Sequence, residues 1–504
     1  MPSWTRPSSL SNFSIHIPVL ALIVAAFSPP VHADSFAERF EQIKKTASAD
    51  QLYRLLQQVP KGGDLHQHLN HSYLAEDWLR VAVDPKVTRG NAFYTRLRPR
   101  DCPPEPLLSP SLSPSSPSPI SSLGSPSIDP RREPVRFHTV QRATYEQLSP
   151  CRKEEYVPLA ALSESEQAEW MSALRIDRPG EGQSEFFEQI GPRHGELARD
   201  PNLARALLIE NLRRFGREGL RYVEIQGTGP RFHTARGEPM DVEQSVQVLR
   251  SALADAAAQG IRVTARFIAI VVRTHPDAEA RLEQAIALVA RHRDLWVGVG
   301  YAGREQDDRG PALRFLPLFR RMRERYGDIP LSLHAGESTS SGSEVRDSLL
   351  LGARRIGHAV NLLGDPSTLL LLRGGRFLIE VNLISNLLLA YVPSIRQHPF
   401  PEFLRLGIPV CLNTDDRGAW DSNMTDEYFT AVTAFDLRWD EIVKIGRDSL
   451  EHSFADAALK AKLIADYQRE ITRFERRLHK DTWADELRRV SPAISGYAKR
   501  TFGL

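Results

Sequence analysis

The stretch KGGDLHQHLNHSYL, Lys61–Leu74, puts three histidines within six positions directly after a helix-patterned segment. Taken alone it is open to two readings, a metal site or a polar turn. The choice depends on whether its first part, GGDLHQHL (62–69), is a strand, because downstream seven extended apolar runs alternate with helical patterns. These runs are RYVEIQ (221–226), RVTARFIAIVV (262–272), LWVGVGYAG (295–303), IPLSLHAGE (329–337), RRIGHAV (354–360), RFLIEVNLISN (376–386) and IPVCLNTDD (408–416). GGDLHQHL makes the eighth.

Between the runs lie segments of helical period. DVEQSVQVLRSALADAAAQG carries Val242, Val246, Leu249 and Leu253 on one face and stops at Gly260, and DAEARLEQAIALVARH follows the next strand in the same way. Eight strands alternating with helices predict an α/β fold, a (β/α)8 TIM barrel with extra N-terminal and C-terminal helices. The competing arrangement is a doubly wound open sheet, disfavoured because no glycine-rich phosphate turn opens any helix. Ahead of the first strand, SADQLYRLLQQV begins with a capping box of Ser48 and Gln51 and carries Leu52, Leu55, Leu56 and Val59 on one stripe, so it is expected across the barrel or its floor. The C-terminal LEHSFADAALKAKLIADYQREITRFERRLHK is highly charged and is expected as a solvated outer helix.

The chain has 504 residues, 41% of them hydrophobic and 25% charged, with a net charge of +2. That balance argues against a nucleic-acid surface and for a small ligand. Residues 1–33 have the form of a secretory signal peptide: Arg6, an apolar run from Ile17 to Phe27, then VHA with Val31 and Ala33 before Asp34. Cleavage after Ala33 is expected, with a periplasmic or secreted product; no other segment is a membrane-span candidate. Residues 34–504 are expected to form one barrel domain interrupted by a disordered insertion, 103–134, since 19 of the 28 residues from Pro103 to Pro130 are Pro or Ser. Of three cysteines, Cys411 lies in an apolar run and is expected to be buried, while Cys102 and Cys151 flank the insertion and in an oxidising compartment could close it with a disulfide.

In a barrel the working residues sit at the C-terminal strand ends. There the sequence places His66 and His68, whose i, i+2 spacing turns both rings to one face, then His334, Glu337, His358, Asp415 and Asp416. Singly, a histidine on an apolar strand is usually a hydrogen-bonded core residue. Several ionisable groups at one mouth are costly to bury unless a metal or a reaction needs them. Three imidazoles and a carboxylate suit Zn2+ with a position left for water, whose pKa zinc lowers to about 7. Glu337, read as one turn beyond His334, is placed to move a proton, and His358 and Asp416 to orient the attacking water and take its proton. The residue types point to metal-assisted hydrolysis.

HxH, HAGE, IGHAV, SN and LNTDD, in that order, resemble the adenosine deaminase branch of the metal-dependent amidohydrolase superfamily. The opening VPKGGDLHQHL is most similar to exported bacterial adenosine deaminases related to the adenosine deaminase growth factors. The resemblance covers roughly residues 36 to 480 without the insertion. It implies one zinc per chain on His66, His68, His334 and Asp415. Glu337 would protonate purine N1, His358 would hold and deprotonate the water, and Asp416 would bond N7 and the hydroxide. The Gly303 N–H would meet N3. The implied reaction converts adenosine or 2′-deoxyadenosine to inosine or 2′-deoxyinosine and ammonia. The Pro-Cys-x-x-Cys motif of the deaminases that act on nucleic acids is absent.

Departures from the family pattern fall outside the ligand set. Asn70, in HQHLNHS, stands where relatives contact the ribose 5′-hydroxyl; Tyr301 stands where many carry Asp; VNLISN replaces VCPTSN. Phe186 and Phe187, in SEFFEQIG, match an apolar lid over the nucleoside, or are core aromatics of a helix. His71 has no family role and is expected on the surface or rim. Alternatives within the superfamily are adenine, AMP or modified-nucleoside deamination. AMP would need a phosphate clamp of Arg or Lys near the rim; Arg304 and Arg417 are candidates, but each reads better as an exposed arginine. An inactive nucleoside-binding protein is the reading from another class. The sequence permits a homodimer without specifying one.

Overall fold

Eight parallel strands form two four-stranded sheets, and two isolated bridges close them into a ring. The computed structural model describes residues 36–103, 135–338, 342–479 and 482–504; the expected signal peptide and all but Pro103 of the expected insertion lie outside them. One sheet runs β1 (Gly62–His68), β5 (Leu220–Gly227), β6 (Thr264–Val272), β7 (Trp296–Ala302). The other runs β8 (Ser332–Ala335), β9 (Arg355–His358), β10 (Leu378–Val381), β11 (Val410–Leu412). Val299 bridges Leu331 on one side and Gln67 bridges Asp415 on the other, so the order around the ring follows the chain, as a (β/α)8 barrel requires. The short strands are buried on both faces because helices cover the outside and the interior is packed.

All eight expected strands are present, but the sixth run is divided. Strand β10 ends at Val381, and Leu383–Leu388 is a helix: its leucines favour helix once the chain has left the ladder. The N-terminal helix Ala49–Gln58 has the Ser48/Gln51 capping box, buries Leu52, Tyr53, Leu55 and Leu56, and leads into the start of β1, at the barrel floor. Against expectation, the charged C-terminal helix Ala457–Leu478 is not wholly solvated: Leu463, Tyr467, Ile471, Phe474 and Leu478 are buried along one stripe.

Between β1 and β5 the chain builds a small antiparallel sheet in the order β3 (Thr139–Gln141), β2 (Phe93–Arg96), β4 (Tyr156–Pro158). FYTR, TVQ and YVP are short and lie in no extended apolar run, so the sequence reading did not contain them. Buried Glu155 accepts from Arg96 at 2.7 Å and from Arg152 at 3.1 Å, and Cys102 and Cys151 form a disulfide with a Cα–Cα separation of 5.9 Å. Cys411 is free and buried. No helix among the described residues is long and apolar enough to cross a membrane.

Candidate metal centre and active site

The alternation of β1 sends His66 and His68 into the mouth. His66 is fully buried and His68 half-buried. His66 Nδ1 lies 2.7 Å from Glu380 Oε2. Glu380 also accepts from Ser332 Oγ at 2.8 Å and pairs with Arg355 Nε at 2.6 Å. Arg355 reaches Glu224 at 2.6 Å, and Glu224 accepts from Tyr222 at 2.8 Å. Burial alone would raise Glu380, but Arg355 and His66 hold it below the usual carboxylate range. An ionised Glu380 requires the His66 proton on Nδ1, leaving the Nε2 lone pair toward the centre.

There His66 Nε2 is 3.5 Å from Asp415 Oδ1, and both atoms are buried without a hydrogen-bond partner. His68 Nε2 lies 3.2 Å from Asp415 Oδ1 and 3.2 Å from His334 Nε2. Three ring nitrogens and a carboxylate oxygen thus face one another, an unfavourable gathering of acceptors that a shared cation relieves. The donor set fits zinc. Donor atoms of His66, His68 and Asp415 lie within 4.8 Å of one another, as do those of His66, His334 and His358.

The hydrogen-bond network separates His358 from the ligands. The Phe400 N–H donates to His398 Nδ1 at 3.1 Å, so neutral His398 donates from Nε2 to Asn386 Oδ1 at 3.0 Å. This turns the Asn386 amide N–H toward His358 Nδ1 at 2.9 Å. The His358 proton is therefore on Nε2, 3.3 Å from Glu337 Oε1, and a protonated nitrogen is a donor, not a ligand. Burial holds His358 well below the usual histidine range, hence neutral. The Asn of the SN motif orients this ring, a role the sequence reading did not assign.

Backbone strain clusters at the same place. Asp415 (φ 51°), His358 (φ 69°) and Ala359 (φ 52°) are all left-handed non-glycine residues, each costing about 1–3 kcal/mol. Asp415 is held by its N–H to His66 O at 2.9 Å and by the His68 N–H to its own carbonyl at 3.1 Å. Glu337 is not one helical turn beyond His334, as expected: β8 ends at Ala335 and left-handed Gly336 (φ 78°) bends the chain, where a Cβ would lie 2.8 Å from Asn361 Oδ1. The Glu337 N–H donates to Glu305 Oε2 at 3.1 Å, and burial pushes its carboxyl up to about 8. Behind it Arg273, stacked on the Tyr301 ring at 4.4 Å, donates to the His334 carbonyl. The Tyr301 hydroxyl meets Ser348 at 2.9 Å, so this departure packs outside the ligand shell.

His71 is not a surface bystander. Its Nδ1 lies 3.1 Å from Asp416 Oδ1, and its ring meets Phe186 at 5.4 Å and His194 at 5.5 Å. The sequence reading missed this because the turn after β1 folds back against the short helix Arg417–Trp420 that follows β11: the His71 carbonyl accepts the Gly418 N–H at 2.8 Å. Burial and then Asp415 raise Asp416 well above the usual carboxylate range. Asn70 is half-buried in the same turn, and Gly303 ends β7 at φ 103°. Phe186 and Phe187 lie on a π-helical turn, Phe186–Ile190, with Phe186 packed on Trp420 at 4.9 Å. Both candidate arginine clamps are already paired: Arg417, read as exposed, is buried against Glu218 at 2.6 Å, and Arg304 meets Glu188 at 2.9 Å.

Sequence reading passed over Glu380, Arg355, Glu224 and Asn386. The signal it had was charge inside apolar strands, in LIEV, RRIGH and YVEIQ.

A closed parallel barrel with three histidines and an aspartate at its C-terminal mouth defines an amidohydrolase-type fold and site. A profile of the adenosine deaminase family matches residues 167–469. The chain is 31% identical over 261 residues to an adenosine deaminase of Klebsiella pneumoniae, covering 52% of this chain and 75% of that one. It is also 31% identical over 266 residues to an adenine deaminase of Cupriavidus necator, covering 52% and 71%. Among solved structures, a zinc-bound amidohydrolase of Burkholderia ambifaria superposes with TM-score 0.56 at 15% identity, over 86% of this chain and 95% of that one. The chain belongs to the adenosine deaminase family. The matched profile span begins after β1; the pairing of β1 with β5 and its bridge to Asp415 bring His66 and His68 into the site.

Proposed function

We propose that the protein is a zinc-dependent deaminase of adenosine and 2′-deoxyadenosine, acting after export to the periplasm or the medium. The observation that carries the reading is the orphaned pair His66 Nε2 and Asp415 Oδ1, facing His68 and His334 beside a carboxyl raised to about 8. His66, His68, His334 and Asp415 would hold zinc, as the bound metal of the Burkholderia structure also suggests. When bound, zinc supplies a Lewis acid that lowers the pKa of a coordinated water to about 7.

The chain's own residues do the rest. Glu337, protonated at neutral pH by its burial, gives its proton to purine N1, which makes C6 electrophilic. The Nε2–H of His358 donates to the attacking oxygen and holds it on C6. That tautomer makes His358 a donor, and Asp416, held by His71 Nδ1 at 3.1 Å, is placed to bond the attacking oxygen. Phe186 and Phe187 cover the apolar face of the base, the Gly303 N–H meets N3, and Asn70 meets the ribose. Water adds, ammonia leaves, and inosine remains.

Adenine deamination is the second reading, favoured by the Cupriavidus relative and by Asn70 at the ribose position. Loss of the ultraviolet band of adenosine, deoxyadenosine, adenine and AMP on incubation with zinc-loaded protein separates the substrates. Inactivity on all four would refute the deaminase reading.

A further inference from the structure

His71 is the one histidine of the opening stretch that the metal centre does not use. The turn that carries it is fastened to the chain after β11 at three points. The Ser72 hydroxyl donates to the Asp415 carbonyl at 3.3 Å, and the His71 carbonyl accepts the Gly418 N–H at 2.8 Å and the Ala419 N–H at 3.2 Å. The approach is so close that a Cβ at Gly418 would lie 2.1 Å from the Tyr73 carbonyl oxygen and 2.6 Å from that of His71. A backbone held in this way limits where the imidazole can reach.

The ring stands between two elements of the mouth. On one side its Nδ1 is 3.1 Å from Asp416 Oδ1. On the other it meets Phe186 edge to face, centroids 5.4 Å apart and planes at 71°, and His194 at 5.5 Å. Gly191 follows the π-helical turn, and a Cβ there would lie 3.8 Å from His71 Nε2. Packing from that side leaves the ring little freedom to turn away from Asp416. The aspartate needs such a partner. It stands directly ahead of the helix Arg417–Trp420, yet its side chain does not cap that helix. The side chain is 4% exposed, so bulk water does not set its orientation, and a buried carboxyl group is held by whatever bonds it.

We propose that His71 is a positioning residue: its Nδ1 fixes the rotation of the Asp416 carboxyl group, tying Oδ1 to the ring and leaving Oδ2 for the attacking oxygen. The geometry is the same whichever partner carries the shared proton, since Nδ1 and a carboxyl oxygen can each donate or accept. What Asp416 then does rests on the deaminase reading; the bond and the orientation it imposes do not.

Three substitutions in the zinc-loaded protein test the assignment. Asparagine places an amide nitrogen or oxygen where Nδ1 stands and can donate or accept there, glutamine places its amide near Nε2, and alanine has neither. His71→Gln and His71→Ala should each lower kcat for adenosine about 10–100-fold, the worth of a hydrogen bond to a charged group. KM and zinc content should stay near wild type, because Asp416 is not a ligand and its bond to the attacking oxygen counts in the reacting complex. His71→Asn should recover kcat to within about threefold of wild type. His71→Ala, which demands no space, gives the same reading if the glutamine variant does not fold. A rise in KM with kcat unchanged would make the ring a packing element under Phe186 and overturn the proposal, as would an asparagine variant no better than alanine. Crystal structures of wild type and His71→Ala provide a readout without turnover: the Asp416 carboxyl group should be rotated in the variant, and an unchanged orientation also overturns the proposal. Wild type inactive on every purine tried, with that rotation present, keeps the positioning role and overturns the deaminase reading instead.

Discussion

Glu380→Gln removes one charge and almost no volume from the barrel interior, and its consequences divide into two measurable parts. Glu380 receives His66 Nδ1 at 2.7 Å, Ser332 Oγ at 2.8 Å and Arg355 Nε at 2.6 Å. The side chains of Arg355 and Glu380 are both 0% exposed. Breaking a buried ion pair by removing one partner costs about 3–5 kcal/mol. Arg355 keeps Glu224, so the expected loss is at the lower end, about 3 kcal/mol. It is read by urea unfolding of chelator-treated protein, where no metal contributes. The second part concerns His66. A neutral amide no longer fixes the proton on Nδ1, and loss of such a partner typically costs about 10–100-fold in metal affinity. Competition with a zinc chelator measures it. Metal affinity within twofold of wild type, together with an unfolding free energy lowered by less than about 1 kcal/mol, would show that the Glu380 contacts neither orient the ligand nor hold the core.

Five further outcomes are expected. Glu337→Gln should lower turnover by about 10²–10⁴-fold while zinc content stays at wild type; loss of the metal instead would mean that Glu337 is a ligand. Because Glu337 must be protonated, kcat/KM should decline as pH rises through about 8. The raised carboxyl also stabilises the fold below 4.5 and loses that contribution as pH rises to about 8, so metal-free Glu337→Gln should gain on wild type over that window in pH-dependent unfolding. Gly357→Ala should cost about 1–3 kcal/mol and displace a ligand, since its Cβ would sit 2.7 Å from His66 Cε1; unchanged zinc affinity would contradict this. Cys102→Ala opens a loop whose ends are 49 residues apart. It should destabilise the region of the small sheet by up to about 4 kcal/mol, seen as faster proteolysis there with metal binding intact.

The sequence by itself determined the barrel and which residues gather at its mouth as candidate ligands, because both are written in local pattern: apolar runs alternating with helical periods, and HxH, HAGE, IGHAV and LNTDD at strand ends whose direction the fold dictates. Local pattern carries no distance. The division between His334 as ligand and His358 as donor comes from a hydrogen-bond chain through Phe400, His398 and Asn386, residues that no spacing rule connects to a metal site. His71 passed for a bystander until the turn after β1 folded onto the short helix that follows β11 and set it against Asp416. Arg304 and Arg417 were candidate anion clamps, yet each has a carboxylate partner, because whether a cation has a partner is a property of the folded neighbourhood. Burial decided the chemistry in the same way: Glu337 and Glu380 are both glutamates, one raised by burial and the other held ionised by Arg355, and only the tertiary structure surrounds them differently.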